Sequence, residues 1–135
     1  MDLLVNIDVD DLARGIAFYT SAFDLTPARR FGGMGVELVG ASSRIYLLTK
    51  KEGSVATAGG ARRTFQRHWT PVHIDFVVSD VDGAVAKAVA AGATIEEAAE
   101  DTGFGRIAVL ADPFGHGLCL LSFSEAGYDA IATPV

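Results

Sequence analysis

Two stretches of this sequence repeat one another, and a repeat of this length restricts the fold to two copies of one small supersecondary module. Residues 4–12, Leu-Val-Asn-Ile-Asp-Val-Asp-Asp-Leu, align with residues 73–81, His-Ile-Asp-Phe-Val-Val-Ser-Asp-Val. In both, an alternating strand runs into an Asp-aliphatic pair that opens a helix. Farther along, Arg44-Ile-Tyr-Leu-Leu-Thr-Lys matches Gly117-Leu-Cys-Leu-Leu-Ser-Phe. The offset is 69 residues at the first pair (4 to 73) and 73 at the second (44 to 117), so the second copy carries a small net insertion.

Each copy reads as a strand, a helix and three further strands. In Leu3–Val9 the apolar Leu3, Val5, Ile7 and Val9 alternate with Leu4, Asn6 and Asp8, the pattern of a sheet with one face on a core. Asp10 or Asp11 can cap the next helix. Leu12, Ile16, Tyr19 and Phe23 then recur at helical spacing and predict the stripe that packs on the sheet. Phe31-Gly-Gly marks a turn before Gly35–Val39, and Gly40-Ala-Ser-Ser turns into Arg44–Thr49. In the second copy Pro71-Val-His begins a strand and Asp80 caps an alanine-rich helix ending at Ala91-Gly92. Gly103–Ala111 and Gly117–Phe123 flank the turn Asp112-Pro-Phe-Gly-His. The expected plan is one α+β domain over residues 1–135. Module one spans about 1–50, a linker about 51–70, module two about 71–124, and an aperiodic tail 125–135. Tyr128 and Ile131 give that tail its docking groups.

Half of the 135 residues are hydrophobic, enough for a packed core. No apolar run approaches the roughly 20 residues that span a bilayer. No charged-then-apolar leader precedes the first strand, which makes the cytoplasm the expected location and a membrane partner unexpected. Cys119 is the single cysteine, so an internal disulfide and a thiolate-rich zinc cluster are excluded. The formal charge of −6 argues against a nucleic-acid partner and leans toward a neutral or cationic small ligand. Arg62, Arg63, Arg67 and His68 form a local basic run, read as a solvated loop.

Asp11-Leu-Ala-Arg-Gly-Ile-Ala-Phe-Tyr after the first strand, His73-Ile-Asp-Phe-Val-Val-Ser-Asp, the Ala91-Gly-Ala turn and Asp112-Pro-Phe-Gly-His occur in an order that resembles the glyoxalase/bleomycin resistance protein/dioxygenase (vicinal oxygen chelate) superfamily. The resemblance covers residues 3 to 124. It implies two tandem βαβββ modules curled into a cupped, barrel-like mixed sheet around a ligand, and a homodimer. Metal-dependent members hold a divalent ion on the first and last strands of both modules, with His or Glu. Carried onto this chain, those four positions read Leu4, Tyr46, His73 and Cys119. Leucine offers no donor, tyrosine is protonated at neutral pH, and His73 with Cys119 supplies at most two soft contacts. No metal and no other cofactor is therefore expected.

Strand alternation turns Asn6, Asp8, Glu37, Arg44, Tyr46, His73, Asp75 and Cys119 to the inner face, with Arg106 and Ala108 placed there by the same count. Together with Trp69 on the linker, the polar set Asn6, Glu37, Arg44, Tyr46, His73, Asp75 and Cys119 is the expected ligand-binding group. Arg44 suits a carboxylate, whereas Glu37 and Asp75 suit an amine. Trp69 and Phe65 read as core caps first and as stacking surfaces second. The expected function is metal-independent binding of a small organic molecule, an antibiotic or toxic metabolite, by a non-catalytic protein. The alternative is a lyase or isomerase of the same fold with His73 and Asp75 as the acid–base pair. A metal-dependent glyoxalase or dioxygenase and a protein-interaction module are the remaining readings. Cys119 reads as packing, His116 as a turn-stabilising residue, and Ser42 and Ser43 lack the glycine-flanked elbow of a hydrolase.

Overall fold

The computed structural model describes residues 1–134 and divides into two compact units, the first ending at Gln66 and the second beginning at Arg67. In the first, β1 (Leu4–Val9), α1 (Leu12–Phe23), β2 (Thr26–Arg30), β3 (Gly35–Val39) and β4 (Arg44–Thr49) form one sheet in the order β1-β4-β3-β2. In the second, β5 (Ile74–Val77), α2 (Val81–Ala91), β6 (Thr94–Thr102), β7 (Gly105–Ala111) and β8 (Gly117–Phe123) repeat that order as β5-β8-β7-β6. Each module is thus βαβββ: the first strand runs parallel to the last, and the other neighbours are antiparallel.

Both helices start where the Asp-aliphatic pairs predict. The Asp11 carboxylate accepts from the Arg14 N–H and that of Asp80 from the Gly83 N–H, each at 3.0 Å, satisfying amides that the first turn leaves without helical partners. Of the two candidates at the first helix, Asp11 is the cap. Gly92, at φ 119°, ends α2 in the left-handed region that residues with a Cβ avoid.

The stripe that α1 buries differs from the expected one. Gly15, Phe18, Tyr19 and Ala22 are buried, while Leu12, Ile16 and Phe23 are half-buried. The reason is Gly15: a Cβ there would lie 3.2 Å from Val9 Cγ1 and 3.3 Å from Leu47 Cδ1, so the helix approaches the sheet along its smallest residue. Phe18 and Tyr19 meet edge to face, 5.0 Å between centroids, over a core of Ile7, Val9, Val36, Leu38, Ile45 and Leu47.

In the second unit Phe114, Leu110, Ala108, Leu118 and Leu120 are buried with Val81 and Ala88 of α2. The turn into β8 is wound on Asp112. One carboxylate oxygen accepts from the N–H groups of Phe114 and His116, both at 2.8 Å, and the other meets His116 Nδ1 at 2.8 Å. His116 is therefore the turn-stabilising residue its position suggests.

Residues 51–66 are more ordered than a solvated loop. An isolated bridge pairs Val55 with Arg62, and each arginine of the basic run is used. Arg62 Nη1 donates to the Gly53 carbonyl at 2.8 Å. Arg63, only 18% exposed at its side chain, donates from Nε to Asp8 of β1 at 2.6 Å and from Nη1 to the Val55 carbonyl at 2.7 Å. Arg67 makes a two-pronged ion pair with Glu96 of β6. In the tail, Gly127–Ala130 is one turn of 3-10 helix, and Tyr128 packs on Phe104 and Phe123 at 5.1 and 4.8 Å. Among the described residues, no helix is long and apolar enough to cross a membrane.

Candidate functional site

In the first unit α1 covers one face of the sheet, and the residues that alternate with that core carry the polar groups. Register places Tyr46 beside Asn6 on one side and Glu37 on the other. Glu37 is 3% exposed, a buried carboxylate in the middle of a strand, which is tolerated only when its lone pairs are occupied. They are. Arg29 donates from Nε to Oε1 at 3.0 Å and from Nη2 to Oε2 at 2.5 Å, and the Tyr46 hydroxyl donates to Oε2 at 2.7 Å. Arg44 Nη1 adds a looser charge contact at 3.5 Å. The Arg29 hydrogen bonds, followed by that from Tyr46, hold the Glu37 carboxyl down at about 2 although burial pushes it up. The same carboxylate raises the Arg29 pKa further. Phe31 lies against Tyr46, rings near parallel at 28° and centroids 6.2 Å apart.

Strand alternation groups Glu37, Arg44 and Tyr46 but gives no sign of Arg29. β2 reads Thr-Pro-Ala-Arg-Arg, fully exposed and without alternation, and its pairing with β3 shifts register between Pro27 and Arg30. That irregularity turns Arg29 onto Glu37 and leaves no periodic signal from which to read it. The expectation that Glu37 would receive an amine is corrected by this geometry, because a guanidinium already occupies both of its oxygens. Asn6 is exposed on the same face, beside Tyr46 in register.

In the second unit the corresponding face carries His73, Asp75 and Cys119. Asp75 pairs with Cys119 across β5 and β8, and Cys119 with Val109 on β7. His73 Nε2 lies 3.1 Å from Asp75 Oδ1, both side chains being about one-third exposed. Trp69, 62% exposed, stands with its ring centroid 5.5 Å from that of His73 and 5.9 Å from the Arg67 guanidinium. The core-capping role expected first for Trp69 is not what it does: the Arg67–Glu96 pair fixes the chain beside β6 and leaves the indole open beside the imidazole. Cys119 is 5% exposed, and burial, then the carboxylates of Asp75 and Glu97, push its thiol up to about 12. It is packed and protonated at neutral pH, as a structural cysteine is.

Arg106 and Ala108 do not share this face. Ile107 and Val109 pair with Leu121 and Cys119, so the alternate residues point to the helix side, where Ala108 is buried and Arg106 binds Asp82 of α2. The expected count was one residue out of step with the register that β7 takes against β8, and a one-residue slip moves every side chain to the opposite face.

The metal positions implied by the sequence can be tested unit by unit. In the first, Leu4 has no donor atom, the Tyr46 proton is committed to Glu37, and Glu37 is held by Arg29. This unit does not fit a divalent ion. In the second, one donor atom each from His73, Asp75 and Cys119 lie within 4.8 Å of one another. Asp75 is a donor the four-position count omits. Nitrogen, oxygen and sulfur suit a zinc-like ion, but the thiol would have to lose its proton against two neighbouring carboxylates.

Among known proteins, residues 4–121 match the family described as a glyoxalase-like domain. An uncharacterized protein of Mycobacterium bovis is 39% identical over 112 residues, 80% of this chain and 74% of that protein. The anthracycline biosynthesis protein DnrV of Streptomyces peucetius is 30% identical over 132 residues, 95% of this chain and 43% of that protein, so this chain spans less than half of that relative. The crystal structure of a glyoxalase/bleomycin resistance protein/dioxygenase family enzyme from Burkholderia phytofirmans matches with a TM-score of 0.73 at 25% identity, over 92% of this chain and 100% of that one.

Proposed function

This chain belongs to the glyoxalase-like family of the vicinal oxygen chelate superfamily, and from that premise we propose that it binds a small organic molecule without a metal ion and releases it unchanged. The observation that carries the reading is the state of the first module's face. At its two metal positions stand an aliphatic side chain and a phenol, and that phenol's proton is spent on a carboxylate which an arginine already neutralises. What replaces ion ligands is a pre-ordered set of donors with an aromatic wall, the usual construction of an organic-ligand site. Within the second unit, the exposed indole of Trp69 beside His73 is a flat surface of its own. The name of the Streptomyces relative supports a planar polycyclic compound as the ligand type, consistent with sequestration of an antibiotic or toxic metabolite. The proposal includes a homodimer acting in the cytoplasm, with no nucleic-acid or membrane partner.

The test is a thermal-shift screen against planar aromatic compounds, glycopeptides and peptide antibiotics, with and without a chelator. A stabilising compound should be recovered chemically intact, and the chelator should leave its effect unchanged. Products in place of intact compound would reject sequestration.

One observation favours a second reading. His73 and Asp75 stand at hydrogen-bond distance on an accessible face, so an imidazole oriented by a carboxylate is available for proton transfer beside a carbonyl, in lyase or isomerase chemistry. That reading expects His73→Ala to abolish turnover while binding persists. A metal-dependent reaction would have to draw on the His73, Asp75 and Cys119 donors, and metal content decides it.

A further inference from the structure

The face of the first module exposes positive charge although its central residue is an acid. Glu37 is 4% exposed at its side chain, whereas those of Arg29 and Arg44 are 59% and 58% exposed. Two guanidiniums share one carboxylate, and the phenol between them is uncharged, so the cluster carries one surplus positive charge. Hydrogen-bond direction sharpens this. Both carboxylate oxygens are occupied as acceptors, and the Tyr46 proton points into the cluster. An approaching molecule meets the N–H donors of Arg29 and Arg44 and the Phe31 ring before it meets the buried carboxylate. Arg29 is held by its two-pronged bond to Glu37, while Arg44 makes only the 3.5 Å contact and retains most of its five donors for a guest.

Building on the small-molecule reading, we propose that the ligand is an anion: a carboxylate or similar oxyanion on a flat ring, gripped by Arg44 beside Arg29, with the ring against Phe31 and Tyr46. The −6 charge of the whole chain pointed the other way, toward neutral or cationic ligands, but net charge governs long-range approach and not which groups one local cluster exposes. Arg44 is the specificity residue in this arrangement. Arg29 orders Glu37 and, through it, Tyr46.

The test uses three matched probes on the full chain, 2-naphthoate, 2-naphthylmethanol and 2-naphthylmethylammonium, titrated by NMR. Naphthoate should bind about tenfold more tightly than the alcohol, and the ammonium more weakly than either. The advantage of naphthoate over naphthylmethanol should shrink with added salt and disappear in Arg44→Gln. Arg44→Lys, which keeps the charge but not the planar fork, should recover part of it. Equal binding of all three probes, or preference for the ammonium, overturns the anion assignment while leaving small-molecule binding intact. Absence of binding by any of them overturns both.

Discussion

Asp112 is the acceptor on which the turn before β8 is wound, so removing its carboxylate measures how much that turn contributes. Its side chain is fully buried, and one oxygen satisfies the N–H groups of Phe114 and His116. Asp112→Ala leaves two donors without that acceptor in a region already closed to water. Each such group costs roughly 1–3 kcal/mol, giving about 4 kcal/mol for the pair. Losing the contact to His116 Nδ1 adds little, because that imidazole is 37% exposed and its ring can turn toward solvent. At this chain length, about 4 kcal/mol lowers Tm by roughly 10–20 °C. The assay is urea and thermal unfolding followed by far-UV circular dichroism and by fluorescence of Trp69, the single tryptophan, which reports on the second unit. Asp112→Asn is the control. Its amide oxygen keeps both backbone donors, so the cost falls to about 1 kcal/mol. Equal destabilisation by Asn and Ala, or a loss below about 1 kcal/mol for Ala, refutes the acceptor account.

Three further outcomes follow from the same geometry. Cys119, buried and with its thiol pushed up to about 12, should resist iodoacetamide at neutral pH in the native protein and react fully in urea, as mass spectrometry will register. Glu37 has its carboxyl lowered to about 2, so it stabilises the fold above its ordinary range near 4.5 and loses that contribution as pH falls through 2; the stability gap between wild type and Glu37→Gln should be full at pH 6 and narrow toward pH 2 in denaturant titrations. Arg63→Ala severs the tie from residues 51–66 to Asp8, and limited proteolysis should then cut within that segment faster than in wild type, with Arg62→Ala cut less readily because it loses one hydrogen bond to the segment itself.

The fold was legible because its signals are local and repeated. Asp11 and Asp80 open helices wherever an aspartate precedes an aliphatic at the end of an alternating strand, and the two copies corroborate each other. What escaped were the second strands of each module. β2 (Thr-Pro-Ala-Arg-Arg) and β6 (Thr-Ile-Glu-Glu-Ala-Ala-Glu-Asp-Thr) are edge strands, largely exposed and interrupted by register shifts, so neither shows a period of two. The omissions at the site are of the same origin. Arg29 and Glu96 lie on those edges, and their partners Glu37 and Arg67 are 8 and 29 residues away in sequence. Alternation along β4 and β5 is what puts Tyr46 beside Glu37 and Asp75 beside Cys119 in register. The chemistry assigned to Glu37 changed because an ion-pair partner, unlike a strand face, has no sequence signature.

The central claim is that ligand binding here needs no metal ion, and metal content measured alongside binding tests it most directly. Protein purified without chelator and analysed by inductively coupled plasma mass spectrometry should contain divalent metal well below one equivalent per chain. Its naphthoate titration should be superimposable before and after dialysis against EDTA. A full equivalent of zinc, iron, manganese or nickel, lost from the His73→Ala variant and required for binding, would contradict the account and return the second module's donors to metal chemistry.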